Sequence, residues 1–251
     1  RQGGTFMRYL VGIDVGGTFT DFVCYDIETG AMSVWKNLST PDDPTDGILA
    51  GLKRFERPDE IAHIRLGTTI ATNAILERKG AVVGYVTTRG FRDIPFIQRG
   101  NRRSHYDITW IKPAPLVKRR HCHEIAERID RDGRVLAPLD EAEVRALARR
   151  LKDEGEVEAV AVNLLFSFLD PSHEQRIKAI LAEELPGLPV SISFEVVPKW
   201  MEYERASTTI ADAYLKPKVA PQLTRMRGRL AAAGLPDRMV VIKSNGGEMT
   251  L

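Results

Sequence analysis

"VGIDVGGTFTDFVCYD", residues 11–26, holds the key to the fold of this 251-residue chain. Before its glycine pair, "RYLVGI" (8–13) is strand-like, and after it "FTDFVCY" (19–25) is again rich in aromatic and β-branched residues. Two strands around one short turn make a β-hairpin. A third strand, "AMSVWK", follows the turn "DIETG", so the chain starts as an antiparallel meander. The first turn carries an acid, two glycines and hydroxyls. It is not a P-loop, because no Lys-Ser/Thr pair ends the glycine stretch. Nor is it a dinucleotide fingerprint, which needs three spaced glycines and a helix directly after the turn.

Glycine leaves backbone amides bare and tolerates positive φ, so Gly16 and Gly17 can form a concave nest for anionic oxygens. Thr18 and Thr20 add hydroxyl donors. Asp14 would repel a bare phosphate but can orient Mg²⁺ or its waters. A plain hairpin turn, with glycine supplying φ > 0 and the Asp capping it, accounts for the same residues.

Beyond the meander the period changes. "DDPTDGILAGLKRFE" (42–56) reads as a helix with Ile48, Leu49, Leu52 and Phe55 on one face. A strand at 63–67, a helix at 68–80 opened by Thr and closed by Gly80, and a buried strand at 81–88 come next. Residues 92–138 read as an irregular, partly β insertion. A helix at 139–155 has Asp140 as its cap, Glu143 three residues on and Gly155 at its end. A central strand (158–168), an Asp-capped helix (170–187) and a strand (189–196) precede a long helical stretch, 202–234, expected to break at Pro217 and Pro221. "RMVVIKSNGGEMTL" is a strand running into a glycine turn, an element expected to continue past residue 251. The alternation predicts α/β with a mixed sheet.

Hydrophobic content of 43% with 28% charged residues is ordinary for a globular protein. The net charge of +2, from 36 basic and 34 acidic residues, gives no electrostatic case for nucleic acid. No apolar run is long enough for a membrane span, and the opening residues lack the charged-then-apolar pattern expected of a leader. Cys24 and Cys122, far apart in sequence, read as two reduced thiols of a cytoplasmic protein in preference to one long-range disulfide. Residues 1–6 read as a vector remnant or disordered start.

The residues also carry a resemblance. "GIDVGGTFTDFV" (12–23) resembles the first phosphate loop of the actin/sugar-kinase/chaperone ATPase superfamily, and more narrowly the N-terminal region of the hydantoinase A/5-oxoprolinase family. In that family's order follow "GTTIATNAILERKGAVVGYVTTRGFRDI" (67–94), "YDITWIKPAPLV" (106–117), "EIAERID" (124–130), "EYERASTTIADAYLKP" (202–217) and "SNGGEM" (244–249). The resemblance implies a ribonuclease H-like (actin-like ATPase) fold, with flanking helices around a mixed sheet and an irregular β-containing insertion. It implies an N-terminal domain over 7–198 and the start of the ATPase domain over 199–251.

The activity implied is ATP-dependent hydrolysis of a cyclic amide, of N-methylhydantoinase or 5-oxoprolinase type. There the substrate carbonyl is phosphorylated before the ring opens, with a hydantoinase B-type subunit or region as partner in a homo- or hetero-oligomer. Similar subunits serve ketone carboxylases of the acetone and acetophenone type, and a non-catalytic ATP-binding assembly module is a further alternative. Carried over by position, Asp14, Gly16, Gly17, Thr18, Thr20 and Asp21 would form the ATP and Mg²⁺ loop, with Asp14 on the metal. Gly67, Thr68 and Thr69 would supply a second set of donors, and Ser244, Asn245, Gly246 and Gly247 a strand-end turn near the nucleotide. A helix cap at Thr68-Thr69 and a solvent-exposed turn at 244–247 account for those residues equally simply. The second phosphate loop is expected beyond residue 251, so this piece alone should bind ATP weakly and turn over little.

The sequence departs from the family in having Leu66 where His commonly precedes Gly-Thr-Thr, and in "HCHEI" (121–125). On a strand His121 and His123 would share a face and could bind a metal with His105 or Asp107. Glu204 and Arg205, and the group Arg99, Asn101 and Arg102, would face either a substrate or solvent.

Overall fold

Strand alternation places every second side chain of the first hairpin inward, and the computed structural model follows it. It describes residues 7–40, 43–102, 104, 106–235, 238–242 and 247–250. The chain runs through β1 (Tyr9–Val15), β2 (Phe19–Asp26), β3 (Met32–Leu38), α1 (Pro44–Leu52), β4 (Ile61–Thr68) and α2 (Ile70–Leu76). Next come β5 (Val83–Thr88), α3 (Ile94–Ile97), β6 (Cys122–Ile125), β7 (Arg128–Ile129), β8 (Val135–Ala137) and α4 (Glu141–Glu154). Then follow β9 (Ala159–Asn163), α5 (Ser172–Glu184), β10 (Val190–Ile192), α6 (Ser193–Val196), α7 (Glu202–Ala232), β11 (Met239–Ile242) and β12 (Glu248–Thr250). One compact unit takes the residues up to Asn73 together with those from Val219 onward; the other is Ala74–Lys218.

The first unit is built on a mixed sheet of order β12-β11-β4-β1-β2-β3. β1–β2 and β2–β3 pair antiparallel, whereas β4 runs parallel to both β1 and β11. That order, with β2 reversed, is the ribonuclease H-like arrangement. Val11, Ile13, Phe22, Ile64 and Leu66 face a core completed by Ile48 and Leu52 of α1 and Met226 and Leu230 of α7. Fully burying each such side chain contributes about 1.5–3 kcal/mol. Helix α1 starts where expected, on Asp43, whose carboxylate accepts from the Thr45 amide at 2.9 Å, with Pro44 in the first turn. The turn "DIETG" closes β2 onto β3 through Gly30 in the left-handed region (φ 72°).

The second unit holds a parallel sheet, β10-β9-β5-β6. Every residue of β5 and β9 is buried, which explains their largely apolar runs, polar only at the Thr87-Thr88 and Asn163 ends. Helix α4 is capped by Asp140, which accepts from the Glu143 amide, and ends on Gly155 at φ 62°. Glu143 does not complete a capping box. It accepts from the Ala126 amide at 2.7 Å and from Arg89 at 2.7 Å instead. The segment 92–138 is irregular and partly β, as expected, with β6 joining the sheet and β7–β8 forming a small hairpin.

Four expectations need correction. Helix α2 stops at Leu76, and Gly80 is glycine for space: a Cβ there would lie 2.0 Å from the Tyr214 ring. Strand β9 ends at Asn163 rather than 168, and β10 at Ile192 rather than 196, for one reason. The buried Glu174 carboxylate accepts from the Leu164 amide (2.9 Å), the Phe194 amide (3.0 Å), Ser167 (2.8 Å) and Ser193 (2.7 Å), pulling both strand ends into turns. Finally, α7 runs unbroken through Pro217 and Pro221. Buried residues on both sides of the prolines hold it: Ala206, Ile210, Ala213 and Tyr214 in one core, Met226 and Leu230 in the other. Packing outweighs the lost backbone bonds.

Candidate functional site

β1 and β4 lie side by side and parallel at the centre of their sheet, with Asp14 opposite Gly67 and Val15 opposite Thr68. Their carboxyl ends therefore release two loops at one edge, the position where open α/β sheets take their ligands. β11 adds a third parallel end there, with Val241 opposite Leu66. Ser244, Asn245 and Gly246, which follow β11, lie outside the described residues; Gly247 directly precedes β12.

The glycine loop is a tight connection in which the Gly16 amide donates to the Phe19 carbonyl at 3.0 Å. Neither Gly16 nor Gly17 has a positive φ, so backbone conformation does not explain the pair. Space explains the first: a Cβ on Gly16 would sit 3.0 Å from the Phe19 carbonyl oxygen. It does not explain the second, for a Cβ on Gly17 would meet nothing within 4 Å. Gly17 and Thr18 are exposed, and with the Gly16 amide engaged, theirs are the loop amides turned to no backbone partner among the described residues.

Ser39 braces this loop from beneath. Its hydroxyl donates to the Gly16 carbonyl at 2.8 Å and its amide to the Thr18 carbonyl at 2.9 Å. Thr20, fully buried, lies 3.0 Å from the Ser39 hydroxyl, so it touches the loop's support rather than its open side. Ser39 carried no sequence signal, being one more polar residue after a strand.

Asp14 is exposed and faces Asp21 across the hairpin and Gly67 across the parallel pair. A Cβ on Gly67 would lie 2.9 Å from Asp14 Oδ1, so the missing side chain makes room for that carboxylate. Lys36 stands 3.6 Å from Asp21, an exposed pair of little energetic weight. After β4, Thr68 accepts from the Ile70 amide at 3.3 Å, and Thr69 accepts from the Asn73 side chain at 3.3 Å. Leu66 is fully buried in the core, so the side chain at this position points away from the Asp14 face.

The remaining candidates are placed elsewhere. His121 and His123 are both buried, but His121 sits in the 3-10 turn before β6 rather than on the strand; Arg120 donates to His121 Nε2 at 3.1 Å and Arg150 to His123 Nδ1 at 2.9 Å. Those guanidiniums occupy the lone pairs a metal would need. Among the described residues no group of three or more His, Cys, Asp or Glu could hold a metal ion. His105 lies outside the described residues, and Asp107 is engaged by Thr109 at 2.7 Å. Arg205 faces neither substrate nor solvent. It is buried and donates to Ser167 and Glu202, while Glu204 pairs with Arg99. Asn101 and Arg102 are exposed. Sequence reasoning missed this buried network, because Glu174 looks like any solvated helix residue.

Residues 10–185 match the model of the hydantoinase/oxoprolinase N-terminal region. The chain belongs to this family. It is 37% identical over 251 residues to caprolactamase subunit alpha of Pseudomonas jessenii, covering 96% of this chain and 36% of that one. To the acetophenone carboxylase gamma subunit of Aromatoleum aromaticum it is 36% identical, covering 94% of this chain and 35% of the relative. The crystal structure of the ATP-dependent caprolactamase superposes with a TM-score of 0.84 at 35% identity, covering 96% of this chain and 36% of that one. Nucleotide-free acetone carboxylase superposes with a TM-score of 0.86 at 26% identity, over 97% of this chain and 37% of that one. The chain thus spans about a third of the length of these relatives, and shares with them the actin-like, mixed α/β fold. Among the described residues no helix is long and apolar enough to cross a membrane.

Proposed function

We propose that the chain is the N-terminal part of an ATP-dependent enzyme that activates the carbonyl of a cyclic amide before its ring is opened by water. The observation that carries this reading is Gly17, whose missing side chain neither backbone conformation nor protein packing requires. A bare amide held open at a strand end suits a ligand that must approach the backbone.

Gly17 and Thr18 would hold the phosphate end of ATP, with Thr68 and Thr69 offering hydroxyls from the neighbouring strand end. Gly16, Ser39 and Thr20 would fix the loop's shape. Mg²⁺ keeps several waters and needs only one or two carboxylates beside the phosphates. Asp14, seated in the gap at Gly67, and Asp21 opposite it fit that requirement. When bound, the nucleotide supplies a phosphoryl group to the substrate's carbonyl oxygen. The chain's own task is to orient and neutralise the phosphate end, and a shift of half an ångström at such a site is costly.

The ATP-dependent caprolactamase supports the cyclic-amide reading, while the carboxylase subunits, similarly close in sequence, support activation of a ketone. A hydantoinase B-type subunit would complete the assembly, since these relatives are named as subunits. Assaying the full-length protein with its partner against lactams, hydantoins and ketones, each with ATP and Mg²⁺, tests the choice. Ring-opened amino acids coupled to ADP release support hydrolysis; bicarbonate-dependent β-keto acid formation from ketones alone would replace it with carboxylation.

A further inference from the structure

The second unit contains a buried donor for which the ATP reading has no use. His123, on edge strand β6, is 7% exposed, and burial with Arg150 alongside lowers its pKa to about 4, so the ring is neutral near pH 7. Arg150 Nη2 lies 2.9 Å from His123 Nδ1. A guanidinium has only hydrogens to give, so Nδ1 must accept and Nε2 must carry the ring's hydrogen. That Nε2 is buried and has no hydrogen-bond partner among the described residues. Buried donors without an acceptor are rare, because each forfeits its hydration for nothing in return.

His123 lines a cavity of about 480 Å³ between β6 and α4, together with Arg89, Arg92, Arg120 and Arg150. That volume suits a metabolite-sized ligand. Two of the four guanidiniums are neutralised, Arg89 by Glu143 and Arg120 by Glu156. Arg92 and Arg150 form no ion pair with any described residue, and Arg150 donates only to an uncharged imidazole. Of the lining carboxylates, Glu143 is held by Arg89 and the Ala126 amide, and Glu124 by the Gly90 amide at 2.7 Å. Glu154 is the third. The cavity therefore offers two unneutralised guanidiniums beside the neutral His123 ring, whose Nε2 lies beneath the surface.

We propose that this cavity binds the phosphate or carboxylate group of a small metabolite, held by the guanidiniums of Arg92 and Arg150 beside the His123 ring. It draws on elements entirely separate from the glycine loop. A planar guanidinium pairs with either oxyanion in the same fork geometry, so the two sources share one chemistry.

Inorganic phosphate and succinate serve as probes, each titrated at constant ionic strength and pH 7.5 without nucleotide. Binding is followed by calorimetry and by the His123 imidazole resonances. The expected result is saturable binding of at least one probe, with the His123 ring resonances, coupled to Arg150 through Nδ1, shifting along the same isotherm. Arg92→Gln and Arg150→Gln should each weaken that binding by about tenfold, the loss of one charge-assisted contact. Arg92 is exposed, so its variant remains informative if Arg150→Gln does not fold. Comparing the probes distinguishes a phosphate from a carboxylate ligand. Absence of saturable binding by both would overturn the proposal. So would binding that both variants leave intact, which would assign the anion to another site such as the glycine loop.

Discussion

Gly51→Ala and Gly228→Ala are the same substitution in two helices, and the structure gives them opposite signs. Alanine is favoured over glycine in a helix interior by about 1 kcal/mol. At Gly228, in α7, a Cβ would meet nothing within 4 Å, so that gain should appear undiminished. At Gly51, in α1, the Cβ would lie 2.1, 2.5 and 2.7 Å from three atoms of the Phe22 ring, against an ordinary contact of 3.4 Å or more. The helix or the ring must move by about 3.4 − 2.1 = 1.3 Å. Phe22 cannot yield easily, since it is fully buried and stacked on Trp35 at 5.2 Å, and Trp35 in turn donates to the Gly51 carbonyl at 3.1 Å. Overpacking of this kind costs about 1–3 kcal/mol, and a weakened buried hydrogen bond adds about 1. Against the helix gain, the net loss is about 2 kcal/mol, or a fall in Tm of about 4–8 °C for a chain of this size. Gly228→Ala should instead raise Tm by about 2–4 °C. Thermal and urea unfolding of both variants beside the parent chain measure the pair. A neutral or stabilising Gly51→Ala would refute the packing described for α1 on the sheet.

Other outcomes follow from the same geometry. Gly67→Ala places a Cβ 2.9 Å from Asp14 Oδ1, displacing the carboxylate by about half an ångström; ATP–Mg²⁺ affinity should fall about tenfold with Tm unchanged within error. Gly12→Ala, on β1 two residues from Asp14 and with its nearest contact at 3.9 Å, should leave affinity intact in the same titration. His123, lowered to about 4 from an unfolded value of 6.5, binds its proton more readily in the unfolded chain. Its contribution is thus fully present above pH 6.5 and is lost as pH falls toward 4, by at most about 3 kcal/mol. His123→Gln should flatten the stability profile across that window. Burial pushes the Cys122 thiol up to about 12 and also raises Cys24. Both should resist a thiol reagent at pH 8 in the native chain and react on unfolding.

Much of this architecture is legible in local pattern. The meander, the parallel strands and the Asp140–Gly155 helix announce themselves through period, caps and turn residues, because those features are set by neighbours in sequence. What local pattern hides depends on distant partners. Glu174 ends two strands by gathering amides ten and twenty residues away. The helix through Pro217 and Pro221 survives because cores on both sides hold it. At the candidate site the residue types of Asp14, Gly16 and Gly17 stand out in the sequence. Ser39, which braces the loop, and Gly67, which makes room for Asp14, acquire meaning only through the cross-strand register.

The central reading is that the loops after β1 and β4 hold the phosphate end of ATP with its Mg²⁺ oriented by Asp14. Calorimetric titration of ATP–Mg²⁺ into the parent chain and into Asp14→Ala tests it most directly, because Asp14 is exposed and its loss should leave the fold intact. The expected result is weak but saturable heat in the parent, and a loss of at least about tenfold in affinity in the variant at unchanged Tm. Equal heat and equal affinity in both would contradict it.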